Sequence, residues 1–211
     1  MSKIAVFGAG GRAGRSAVRE ARRRGHQVTA VVRDPAKHGD LATDGVHLVA
    51  GDVLDADDVA RVAARHHAAI SAVYDAGAQP DAFFTGAASA LLDGLTRAGV
   101  GRLIVVGLAS VLTTASGVPL MDTPGYPQEY RSFYLGHATG VAVLRAAATG
   151  LDWLVVSPAG DFDHDGARTG RYRTAAAEAA SRVSYADFAI SLLDEIDTPR
   201  HHRAHLGVEA G

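Results

Sequence analysis

The sequence predicts an α/β fold: a doubly wound parallel sheet with helices on both faces, formed by a single domain. Three observations predict it. Short apolar, often β-branched runs alternate with amphipathic stretches along the chain. Glycines crowd directly behind the first apolar run. A length of 211 residues, 47% of them hydrophobic, is enough for one substantial core. Parallel strands need long crossovers, which helices supply, so this alternation implies a sheet covered on both sides.

Residues 4–7 read as the first strand, and Gly8, Ala9, Gly10, Gly11, Arg12, Ala13 and Gly14 follow at once. Gly8 permits a tight turn out of the strand, and Gly10 and Gly11 permit close approach of backbone to a pyrophosphate. Ala13 or Gly14 lets the next helix pack on the sheet. The free N–H groups at that helix start would then face the phosphates. Residues 13–24 place Ala13, Ala17, Val18 and Ala21 on one face and Arg15, Arg19, Arg22 and Arg23 mostly on the other, an amphipathic helix ended by Gly25. Residues 28–32 form the second strand and complete a βαβ unit of about 30 residues. A glycine run by itself also suits a turn that binds nothing. Its position between strand and helix marks a dinucleotide-binding turn of the Rossmann type.

Further strands are predicted at 46–50, 68–73, 103–107, 153–157 and 206–208, with helices at 56–65, 82–98, 128–149 and 185–195. The alanine-rich stretch 174–181 reads as a short helix or flap. No linker or repeat divides the chain, so 1–211 is one domain, with a substrate-side flap around 159–181 in which Phe162 and Arg168 are candidate contacts.

A formal net charge of −2 argues against a dedicated nucleic-acid or anionic-membrane surface. The absence of cysteine excludes disulfides, thiolate zinc sites and cysteine nucleophiles. Residues 4–7 are too short for a secretory apolar segment, and no run approaches the roughly 20 apolar residues of a membrane span. The expectation is a cytoplasmic protein, monomer or homodimer, acting on a small molecule. No metal is expected. Asp161, Asp163, Asp165 and Gly166 open like a calcium loop, but Tyr172 stands where the bidentate glutamate belongs. His201, His202 and His205 follow Pro199 in an apparent surface turn without carboxylate support.

In such a sheet the ligand lies across the carboxyl ends of the strands. Arg33 ends the second strand, where an NAD site places an acid for the ribose 2′-hydroxyl. Arginine suits a 2′-phosphate, so NADPH is preferred, with NADH possible because Asp34 follows. Arg12 is either a second phosphate contact or a solvated helix-start residue. Asp52, beside Val53, either accepts from the adenine amine or caps a helix. Ser71 and Ala72 close the fourth strand near the nicotinamide ribose, Ser110 follows the fifth, and Ser157 and Pro158 follow the sixth beside the nicotinamide.

GAGGRAG at 8–14, VVRDPAK at 31–37, GDVLD at 51–55, DTPGYPQEY at 122–130 and SRVSYADFA at 181–189 span almost the whole chain. Together they resemble the atypical short-chain dehydrogenases/reductases of the NAD(P)H-binding group, described as NADH-flavin reductases and related to the biliverdin reductase and flavin reductase family. The resemblance implies a reduced nicotinamide cofactor, with a flavin or another conjugated acceptor as substrate rather than bound prosthetic group. It also carries departures. Tyr126, Tyr130 and Tyr134 are followed four residues later by Tyr130, Tyr134 and Ala138, and the lysines are Lys3 and Lys37, so the usual Tyr–Lys pair is missing. After the fifth strand the chain reads GLASVL at 107–112 where relatives read GGAGSL, which shifts the serine by one position.

A ketone would need its alkoxide protonated in place, whereas a flavin spreads the charge over its ring, so transfer can rest on proximity and orientation. Ser110 would hold the acceptor or the carboxamide. His137 is either a proton source near neutral pH or a packing residue, and Tyr134, in the tyrosine row, is either catalytic or core. Two other readings stay open: a non-catalytic NAD(P)-binding redox sensor, and a biosynthetic reductase or isomerase for a specialised metabolite.

Overall fold

A computed structural model describes residues 1–211. In chain order the elements are β1 (Lys3–Phe7), α1 (Arg12–Arg23), β2 (Gln27–Val32), β3 (Val46–Ala50), α2 (Ala56–Ala63), β4 (Ala68–Ser71), α3 (Pro80–Arg97), β5 (Arg102–Val106), α4 (Arg131–Ala146) and β6 (Asp152–Pro158). They continue with β7 (Asp161–Asp163), β8 (Tyr172–Ala175), β9 (Arg182–Ser184), α5 (Tyr185–Asp197) and β10 (Ala204–Ala210). Eight strands form one sheet in the order β3-β2-β1-β4-β5-β6-β10-β8; all neighbours are parallel except β8, which pairs antiparallel with β10 at the edge. The predicted doubly wound α/β fold is the fold observed.

Because side chains alternate along a strand, each strand feeds two cores. In β1, Ala5 and Phe7 join Val31, Ala69, Leu103, Trp153 and Val155 under α2, α3 and α4. Ile4 and Val6 join Val28, Ala30, Ile70, Ile104, Leu154 and Val156 under α1 and α5. α1 buries Ala17, Val18 and Ala21, the stripe read from the sequence, and α5 meets them with Phe188, Leu192 and Leu193. From β1 the chain winds out through β2 and β3, then returns to β4 on the other side, so connections leave β1 and β4 in opposite directions and open a crevice at their carboxyl ends.

Several boundaries differ from the sequence reading, each for a local reason. α4 starts at Arg131 rather than near 128: the Gln128 side-chain amide donates to the carbonyls of Met121 and Tyr126 and ties this residue back to the loop before the helix. α2 stops at Ala63, and Arg65 takes a positive φ of 64° in the turn that follows. The alanine-rich stretch 174–181 is not helical. Its first two residues end β8, the Ala177 amide bonds the Thr113 carbonyl and the Glu178 amide bonds the Ala159 carbonyl, so tertiary partners override alanine's helix propensity. The short parallel pair β7–β9 has no counterpart in the sequence reading.

Candidate functional site

The crevice between β1 and β4 holds a cleft of about 380 Å³ lined by Phe7, Gly8, Gly10, Gly11, Val31, Val32, Arg33, His38, Gly51, Asp52, Val53, Leu54, Ala72, Val73, Tyr74, Asp75 and Phe83. The glycines have separable reasons. Gly8 has a φ of +77°, and a Cβ there would lie 2.4 Å from the Ala72 carbonyl oxygen. At Gly14 a Cβ would lie 2.2 Å from the Gly8 carbonyl oxygen, so this glycine seats α1 on the turn. Over Gly10 stands the His38 imidazole, 2.5 Å from where a Cβ would be; its space serves this ring as well as any ligand. Gly11 has open space, with nothing nearer than 3.6 Å. The amides of Arg12, Ala13 and Gly14, at the start of α1, have no acceptor in the chain. This cradle of free N–H groups at a helix N-terminus fits a diphosphate.

Around the cradle, Arg33 reaches from the end of β2 and pairs with Asp75 beyond the end of β4. Asp34 turns away: its carboxylate accepts from the Ala36 amide at 3.1 Å and pairs with Lys37. Asp52 accepts from the Leu54 amide at 2.9 Å, closing an Asx turn, while Asp55 caps α2. Asp52 and Val53 nevertheless line the cleft, as does Ala72. Arg12 points elsewhere, its guanidinium 2.6 Å from His164 Nδ1, which also lies 3.3 Å from the Tyr185 hydroxyl.

The residues assigned to the chemical end scatter more. Ser71 and His137 line a second, small inner cavity of about 40 Å³ with Phe84, Gly107 and Gly140. The His137 ring lies 3.8 Å from Phe84, centroid to centroid, and burial, helped by His205, pushes its pKa down to about 3. The imidazole is therefore neutral at neutral pH, which corrects the expectation of a proton source there. Tyr134 is buried against Tyr126 and Tyr130, and burial raises its pKa. Ser110 is 0% exposed and its hydroxyl has no partner. Ser157 is also buried, its hydroxyl 2.8 Å from His205 Nε2, and with Pro158 it lines neither cavity.

Two flap contacts are corrected. Phe162 stacks on Tyr185 at 4.1 Å and meets Phe188 edge-on, and Arg168 pairs with the buried Glu20 of α1 at 3.2 Å, so both side chains serve packing. The histidines at 201, 202 and 205 do have partners, contrary to the sequence reading: His201 bonds Glu195, His202 bonds Asp152 and His205 bonds Ser157. His201 and His202 thus meet the two carboxylates that pair with Arg102, while His205 lies apart, and the three imidazoles do not gather around one metal-sized site.

Sequence reasoning missed His38, Arg15, Tyr74 and Asp75. Arg15 donates to the Gly10 carbonyl at 2.9 Å and pairs with Asp40, bracing the turn. The signal for His38 and Asp75 was position alone, a few residues past strand ends, where any polar residue reaches the cleft.

The family described as NAD(P)H-binding matches residues 8–199. The chain is 34% identical to YwnB of Bacillus subtilis, a protein without assigned function, over 94% of each chain. Among solved structures it is similar to a candidate exported protein of Burkholderia pseudomallei, with 36% identity, a TM-score of 0.86, and 99% and 100% of the two chains covered. It is also similar to a candidate NADH-flavin reductase of Streptococcus pneumoniae, with 30% identity, a TM-score of 0.84 and both chains fully covered. No helix is long and apolar enough to cross a membrane.

Proposed function

The chain belongs to the NAD(P)H-binding family, and on that premise we propose that it is an NADPH-dependent oxidoreductase passing hydride to a flavin or a similarly flat, conjugated acceptor. The observation that carries this reading is the cradle of unpartnered amides at Arg12, Ala13 and Gly14, with Arg33 reaching into the same cleft. The cradle would hold the diphosphate, Arg33 the 2′-phosphate, and Val53 and Asp52 the adenine side. Bound NADPH would supply the hydride.

The chain's own residues favour an acceptor that needs no protein acid. Tyr134 keeps its proton because burial raises its pKa, and no lysine lies nearby to lower it. His137 carries no exchangeable charge at neutral pH. What remains is positioning: Ser71, Phe84 and His137 border the inner cavity beside the ends of β4 and β5, with Phe133 packed edge-on behind the two rings. Ser110, with its unpartnered hydroxyl, is the polar group available to orient a carboxamide or acceptor carbonyl after a small movement. The segment 159–181 serves as the substrate-side flap through its turn at His164, which meets Arg12 of the phosphate-binding turn. The candidate NADH-flavin reductase among the similar structures supports the acceptor class. A cytoplasmic site of action follows from the need for a reduced nicotinamide pool.

The test is to follow nicotinamide absorbance with NADPH and FMN, FAD or a quinone. Turnover with at least one flat acceptor is expected. Binding of NADPH without turnover of any acceptor would sink the reductase reading and leave a sensor.

A further inference from the structure

Asp75 stands opposite Arg33 across the dinucleotide cleft, and both line it. One carboxylate oxygen accepts from the Arg33 guanidinium, and the other accepts from the Gly77 amide at 2.9 Å. The carboxylate is thus held by its own turn and is 25% exposed, while the guanidinium it pairs with is 69% exposed. The fixed partner is the acid, and the base is free to swing. The Gly77 amide and Arg33 hold the Asp75 pKa below the usual carboxylate range, so it stays charged wherever the protein is folded and active.

We propose that Asp75 is a specificity-determining residue that competes with the cofactor's 2′-phosphate for Arg33, and so holds back the preference for NADPH over NADH. This rests on the reading above in which Arg33 takes the 2′-phosphate. An exposed ion pair is weak, and a phosphate offers arginine two charge-assisted bonds, so the exchange can occur. It leaves the Asp75 carboxylate, pinned by Gly77, close to a phosphate of the same sign. NADH requires no such exchange, and its ribose hydroxyl can donate to a carboxylate. The acid that dinucleotide sites place at the end of the second strand is here supplied across the cleft, from beyond the fourth.

Titrating wild type, Asp75→Asn, Arg33→Gln and the double variant with NADPH and with NADH tests this. Asn keeps a side-chain oxygen for the Gly77 amide and removes only the charge. Asp75→Asn is expected to tighten NADPH about five- to tenfold, with NADH unchanged or weaker, and to have no such effect in the Arg33→Gln background. Asp75→Ser, whose hydroxyl can accept from the same amide, should shift the ratio the same way. If Arg33→Gln weakens NADPH but neither Asp75 variant changes the NADPH-to-NADH ratio, the competition is overturned while the Arg33 reading stands. If Arg33→Gln leaves NADPH affinity unchanged, the Arg33 reading falls and this proposal falls with it.

Discussion

Gly14 is the residue of the turn with least room for change, because the atoms a side chain would meet are backbone on every side. A Cβ would lie 2.2 Å from the Gly8 carbonyl oxygen and 2.8 Å from Ala9 Cα. At Gly10 the obstacle is only the His38 ring, which can rotate away. Gly14→Ala is therefore expected to cost about 1–3 kcal/mol in urea unfolding and to weaken NADPH markedly, and Gly10→Ala less than about 1 kcal/mol. Equal effects would show that the two glycines do the same job. His137 and His205 make a second residue-level prediction. Burial pushes their pKa values down to about 3 and about 4, so the unfolded chain binds their protons first as pH falls below about 6.5. Stability must then rise with pH through that window and fall on acidification, by up to about 1.4 kcal/mol per pH unit for each group. His205→Gln keeps an amide for Ser157 and should flatten the pH 4–6.5 slope in denaturant titrations. A slope unchanged by the substitution would mean that other groups carry the acid sensitivity.

At the scale of elements, one buried ion network joins the far ends of three of them. Arg102, opening β5, donates to Asp152 of β6 at 2.6 Å and to Glu195 of α5 at 3.0 Å, and Glu195 also accepts from the amides of Arg200 and His201. Glu195→Ala would leave the buried Arg102 with Asp152 as its one carboxylate and leave two amides without an acceptor, and is expected to cost about 2–4 kcal/mol in chemical unfolding without altering NADPH affinity, since the network sits at the end of the sheet opposite the cleft. None of this was legible in the sequence, because charged residues far apart in the chain carry no mark of being buried together. What was legible was periodic. The stripe Ala17, Val18, Ala21 and the β-branched runs 28–32 and 153–157 declare their faces locally, and the sheet follows from their alternation. The glycine turn was legible for a related reason: Gly8 and Gly14 answer to backbone geometry. The chemical end was not. Ser110, Ser157 and His137 were chosen by distance from strand ends, and whether such a residue faces a ligand, another histidine or a phenylalanine depends on packing between α3, α4 and β10 that no local pattern encodes.

For the molecule as a whole, the cleft matters because it is built from both halves of the sheet. Gly8, Gly11 and Arg33 come from the side wound through β1 and β2, and Ala72, Tyr74 and Asp75 from the β4 side. A ligand touching both sides can bind only the folded chain, so its binding energy adds to stability by mass action. At a hundred times its dissociation constant, NADPH should add about 2.7 kcal/mol, which in a domain of this size raises Tm by roughly 5–10 °C. A flavin that is substrate rather than resident group has a different signature. FMN alone should move Tm far less than NADPH does, and the purified protein should be colourless. A purified protein that is yellow, or that FMN stabilises as strongly as NADPH does, would make the flavin a bound prosthetic group, and the small cavity beside His137 and Phe84 would then have to open well beyond about 40 Å³ to admit its ring.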